Sequence, residues 1–179
     1  QERFAQEVGA ELPRVIDWAE PRWVAFQRRR EAWLSEFAAS MTAAVKAIKP
    51  DITVEHQAST YPLSWRFGVT TGMVPANDFL QGDFYGDALQ GSFVRKLFGN
   101  LSPRQPYGFE TSSAVSLQNH TAAKPEALLR AKAYSCLADG GAFVFIDAID
   151  PLGTLNRAVY ERMGRVFAET KAYEPYVGG

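Results

Sequence analysis

Apolar residues recur at three- and four-residue spacings between Pro21 and Ile48, through Trp23, Phe26, Trp33, Leu34, Phe37, Met41 and Val45. That period is the stripe of an amphipathic helix, and it predicts one long helix with these side chains on its packed face. Lys49-Pro50 ends it, because proline lacks the N–H that continues the ladder and pushes the residue before it out of the α region. Residues 52–57 are then short, β-rich and polar at the end, which predicts a strand opening into a loop. The alternation repeats. A strand is predicted over 78–83 with a helix over 92–98, and a strand over 107–111 with a helix over 125–138 that Asp139-Gly140-Gly141 terminates. Residues 142–146, Ala-Phe-Val-Phe-Ile, form a continuous apolar run of the kind found in strands buried on both faces. A last helix begins near Thr154, with Leu155, Val159, Met163, Val166 and Phe167 on its buried side.

Strands alternating with helices predict an α/β fold built on a parallel sheet with right-handed crossovers. Such units make either half of a closed barrel or an open doubly wound sheet. No G-x-G-x-x-G follows a strand, which weakens the nucleotide-binding form of the open sheet. Neither a repeat beyond this alternation nor a low-complexity linker divides the chain, so one domain is expected over residues 1–179.

Composition narrows the partners. Hydrophobic residues make up 46% and charged residues 22%, as in an ordinary folded protein. The net charge of -1 supplies no field for binding a phosphate backbone, so no nucleic-acid partner is expected. Arg28-Arg29-Arg30 reads as a solvated helix face beside Glu31. No apolar run approaches the roughly 18 residues of a membrane span, so no membrane partner is expected. Cys136 is the lone cysteine, which excludes an internal disulfide and places it in core packing. Two histidines without close acidic spacing predict no metal site, and no cofactor is expected.

In a parallel barrel, side chains at the C-terminal strand ends line the pocket. Here those are Glu55, His56 and Gln57, then Asp83, Glu110 and Asp147. A row of carboxylates is the equipment of glycosidic cleavage, which uses one to protonate the leaving oxygen and one as nucleophile or base. Glu110 and Asp83 are the catalytic candidates. His56, Gln57 and His120 have hydrogen-bonding groups for sugar hydroxyls, Trp65 and Tyr85 have rings that stack on pyranose faces, and Asp147 is a further contact. A lone histidine at a strand end is more often satisfied structurally, and Asp87 and Asp150 read as turn residues. The absence of G-x-S-x-G and of a P-loop leaves serine-hydrolase and nucleotide-cleaving chemistry without a motif.

Several short runs occur in a fixed order: Asp17-Trp18, Pro21-Arg22-Trp23, Gly82-Asp83-Phe84-Tyr85-Gly86, Phe109-Glu110-Thr111-Ser112, His120-Thr121 with Lys124, and Gly140-Gly141-Ala142-Phe143 leading to Ile146-Asp147-Ala148-Ile149-Asp150-Pro151. In this the stretch from Trp18 to Tyr176 resembles the C-terminal part of the catalytic barrel of glycoside hydrolases that include the family 151 α-L-fucosidases, which are distantly similar to barrel β-galactosidases. The resemblance implies the C-terminal half of a TIM-type barrel, strands five to eight, preceded by a long helix. It also implies hydrolysis of a terminal α-L-fucoside by a two-carboxylate, retaining mechanism. By position Glu110 ends the seventh strand, where related enzymes carry the nucleophile, while their acid/base lies on a fourth strand outside this sequence. Fucosidases with an aspartate nucleophile on the fourth strand would make Glu110 a substrate-binding residue instead.

A complete barrel takes about 250 residues, so the 179 here, beginning with Gln1, predict a piece of a longer protein. Such a half barrel is expected to pair with the rest of the barrel or with a second copy, and alone to turn over little substrate. The alternative is a non-catalytic carbohydrate-binding or assembly-forming half barrel. A third reading places Asp83, Glu110 and Asp147 around a divalent ion.

Overall fold

The structure is a computed structural model describing residues 1–61, 63–116 and 119–177, and of His120 and Thr121 the backbone alone. The chain forms two compact units, residues 1–56 with 60–77, and residues 57–59 with 78–179.

In the first unit, helix α1 (Glu2–Val8) packs on the long predicted helix, α2 (Pro21–Ile48). Fully buried Phe4 meets Phe26 edge-on at 5.8 Å, and Glu7 accepts from Trp33 Nε1 at 3.1 Å while pairing with Arg29. Arg30 donates to the Trp65 carbonyl at 2.7 Å. The arginine run is therefore not a simply solvated face, since two of its members hold neighbouring segments onto α2. A single 3-10 turn at Trp65–Phe67 and a two-turn 3-10 helix at Thr71–Ala76 complete the unit.

The packed face of α2 also differs from its apolar stripe. Phe37, Met41 and Ile48 are exposed, whereas Trp23, Gln27 and Ala38 are buried. What lies against the middle of the helix is the Thr71–Ala76 backbone turn. Ser35 approaches Gly72, and Thr42 donates to the Ala76 carbonyl at 2.7 Å. Close backbone approach selects small side chains, so size overrides hydrophobicity there. The strand expected over 52–57 does not form. The His56 N–H is taken by the Asn77 side chain at 2.6 Å, which leaves it nothing to give a strand ladder.

The second unit is a three-stranded parallel sheet, β1 (Gln81–Asp83), β2 (Gly108–Ser112) and β5 (Ala142–Ile146), in the order β1-β2-β5. Helix α3 (Ala88–Leu101) connects the first pair. A short antiparallel hairpin, β3 (Ala114–Ser116) and β4 (Asn119–Ala123), followed by α4 (Glu126–Ala138), connects the second. Helix α5 (Arg157–Thr170) closes the order. Asp87 caps α3 by accepting from the Gln90 N–H at 2.9 Å. Gly140, at φ 74, ends α4 in the left-handed conformation that glycine adopts without strain.

One sheet face carries Phe109, Phe143 and Phe145. Phe109 stacks on Phe84 at 5.4 Å, and Phe84 meets Phe98 of α3 edge-on at 5.3 Å. Phe143 and Phe145 pack on a cluster of Leu129, Ala133, Met163 and Val166 from α4 and α5. Leu155 and Phe167, expected on the buried side of the last helix, are exposed. Strand β5, expected to be covered on both faces, is half-exposed along its length. Among the described residues β2 is its one ladder partner, so it is an edge strand.

Leu129 is 1% exposed and Leu152 is 90% exposed. Leu129→Ala is expected to cost about 2–5 kcal/mol in urea unfolding, and Leu152→Ala to stay within about 0.5 kcal/mol of the parent.

Candidate active site at the strand ends

Parallel pairing sets Asp83 beside Glu110, and Glu110 beside Val144. Side chains alternate along a strand, and residues in register share a face. Asp83, Glu110 and Gln81 thus lie on the face opposite Phe109 and Phe143, and the Gln81 amide donates to Glu110 Oε1. Gly108 makes this possible. A Cβ on it would stand 2.6 Å from Gln81 Cγ and would push the glutamine off its present path across β2. Glu110 is buried.

Tyr85 joins the two acids. It lies beside Asp83, and its phenol is pushed up from the ordinary value to about 12. Burial is the largest cause, followed by the negative charge of the neighbouring Asp83 and that of Glu110. The face of its ring carries Lys124 Nζ at 5.6 Å, a cation–π contact. Lys124 is itself buried and donates to the Ser112 carbonyl at 2.8 Å and to that of Ala114, fastening the turn that leaves β2. Burial pulls its pKa down, helped by the positive charge of Lys132.

Asp147 lies at the same edge, after β5. Its Oδ1 accepts from Ser113 Oγ at 2.8 Å, while Oδ2 is buried without a partner, as is Asp83 Oδ1. A buried acceptor lacking a donor is costly, and a polyol hydroxyl satisfies it.

The sequence candidates therefore separate. Asp83, Tyr85 and Glu110 come together, and Asp147 stands at the same sheet edge. Gln57 flanks β1, beside Gly82, with its Oε1 accepting from the Ser59 N–H at 3.2 Å. His56 belongs to the first unit, where Nε2 meets Thr42 Oγ1 at 2.8 Å. Thr42 gives its single hydrogen to Ala76, so His56 Nε2 carries the proton and the ring is held structurally. Trp65 packs edge-on against Trp18 at 5.0 Å and Trp23 at 6.0 Å, also in the first unit. The side chain of His120 lies outside the described residues. Asp150 is a turn residue, accepting from the Leu152 N–H at 2.7 Å. Among the described residues, no cluster of three or more His, Cys, Asp or Glu is arranged to hold a metal ion. Gln81 and Lys124 were not singled out from sequence as site residues. Nothing local marks a glutamine that reaches across a strand or a lysine that folds inward.

No protein-family model matches the sequence, and no curated protein matches it. Among solved structures, the fold is similar to α-L-fucosidase isoenzyme 2 from Paenibacillus thiaminolyticus. The TM-score is 0.64 at 19% identity, covering 98% of this chain and 25% of that one. This chain shares its fold with part of a fucosidase. It spans about a quarter of that protein's length.

Absorbance titration of tyrosinate checks the Tyr85 environment. One tyrosine should titrate near 12, disappear in Tyr85→Phe and move down toward the ordinary value of 10.0 in Asp83→Asn. A phenol whose pKa is raised on folding contributes stability that is complete below the unfolded value of 10.0 and is lost as pH rises through about 12. Tyr85→Phe should therefore lose less stability than the parent across that interval.

Proposed function

We propose that this chain carries part of the active site of a glycoside hydrolase, with a terminal α-L-fucoside as substrate and Glu110 and Asp83 as its carboxylates. The observation that carries the reading is the register pairing of Asp83 with Glu110 on the face opposite the helices. Neighbouring strands run about 4.8 Å apart, close to the carboxyl separation of about 5–5.5 Å in enzymes that retain anomeric configuration. In this reading Glu110, oriented by Gln81, attacks the anomeric carbon. Asp83, in place of the fourth-strand acid/base that the resemblance implies, protonates the leaving oxygen and then takes a proton from the water that releases the sugar. Tyr85, with its proton held on the phenol, stands beside Asp83.

The fold likeness to a fucosidase supports the substrate class, and the sequence resemblance supports the placing of β1, β2 and β5 as the sixth, seventh and eighth strands of a TIM-type barrel. In that arrangement β5 and the opposite edge of the sheet pair with further strands of the barrel or with a second copy. A second reading, a sugar-binding module without turnover, draws support from the unpartnered oxygens of Asp83 and Asp147, which are acceptors for hydroxyl groups.

The test is hydrolysis of an aryl α-L-fucoside by the longest natural polypeptide containing this sequence, with the 179-residue chain alone alongside. Glu110→Gln should abolish turnover. Asp83→Asn should slow it by about 10²–10⁴-fold, least for leaving groups that depart without protonation. Full activity in Glu110→Gln would overturn the assignment, and fucose binding without turnover would leave the binding module standing.

A further inference from the structure

Behind Tyr85, between α3 and α4, lies a cavity of about 360 Å³ that the proposed chemistry does not use. Arg95, Lys124 and Lys132 line it together with Tyr85, Ser135 and Asp87. All three cationic residues are buried. Gathering like charges out of water is unfavourable unless negative charge balances them. The local acids do this only in part. Asp139 binds Arg95 at 2.7 Å and is shared with Lys96 at 3.5 Å. Asp87 is the one acid among the described lining residues, and its Oδ1 is engaged as the cap of α3.

The lysines are held by neutral groups. Lys132 Nζ donates to the Gly86 carbonyl at 3.0 Å and lies over the Phe109 ring, while Lys124 Nζ holds the Ser112 and Ala114 carbonyls. An ammonium has three hydrogens to donate, so each keeps capacity for a further acceptor. Both have depressed pKa values, from burial first and then from a neighbouring cation: Arg95 for Lys132, and Lys132 for Lys124.

We infer that this cavity binds a small tetrahedral oxyanion, phosphate or sulfate, free or as a monoester, through Lys132, Lys124 and Arg95. The site is separate from Asp83 and Glu110, with Tyr85 between them. Tyr85 neighbours Asp83, and its ring carries Lys124.

Calorimetric titration of the full chain with inorganic phosphate, sulfate and acetate tests this. Thermal unfolding in the same ions is the second readout. One site for phosphate or sulfate is expected, with a rise in the unfolding midpoint that acetate at equal ionic strength does not reproduce. Lys132→Met should weaken binding by about 10- to 100-fold, the loss expected for one charge-assisted hydrogen bond. Its unliganded midpoint should not fall, since the change removes a buried, repelled charge. Ala131→Phe, at an exposed lining position on α4, should block the cavity independently. Glu110→Gln should bind as the parent does, so loss of the hydrolase reading leaves this one intact. Absence of binding in the parent, an equal effect of acetate, or unchanged affinity in both cavity variants would overturn the inference. A phosphate monoester of a sugar binding more tightly than free phosphate would identify the ester as the ligand form.

Discussion

Hydrogen bonding between β1, β2 and β5 is the constraint on which the site depends. Parallel ladders bind every strand in one register, and a slip of one residue would turn each side chain to the other face. At the observed register the phenylalanines meet the helices while Asp83 and Glu110 share the other face. A slip of β2 would place Glu110 among Phe84, Phe98 and Phe143, where an unpaired carboxylate is strongly disfavoured. The aromatic packing that stabilises the unit thus also enforces the pairing of the acids.

Charge is distributed to match. The strand-end face gathers carboxylates, while the space between α3 and α4 gathers cations, and Tyr85 separates the two. A phenol is neutral through the physiological range, so Tyr85 sets an uncharged hydroxyl near the acids on one side and an aromatic face against Lys124 on the other.

Much of this was legible in the sequence where period and punctuation agree. The helix from Pro21, the apolar run Ala142–Ile146 and the Gly140 stop all reflect local preferences that nothing overrides. That Asp83 and Glu110 belong to neighbouring strand units was legible, but their pairing in register was not, and Glu110, expected at a strand end, stands in the middle of β2. Long-range circumstances were not legible. Residues 52–57 have strand composition, but the Asn77 side chain takes the His56 N–H a ladder would need. Phe37, Met41 and Ile48 keep helical spacing, yet a backbone turn that admits only small side chains occupies the neighbouring face. The hairpin β3–β4 is too short for alternation to show, and Lys124 gives no sign that it folds inward.

The approach of Gln81 to the α-carbon of Gly108 ties two positions far apart in the chain into one unit of change. A side chain at 108 would displace the glutamine, which must rotate away or give place to a smaller residue, and in either case Glu110 loses the amide that orients it. Sequences descended from this one that keep that orientation should keep both residues, and a lineage that abandons the pair has abandoned the orientation of its carboxylate as well.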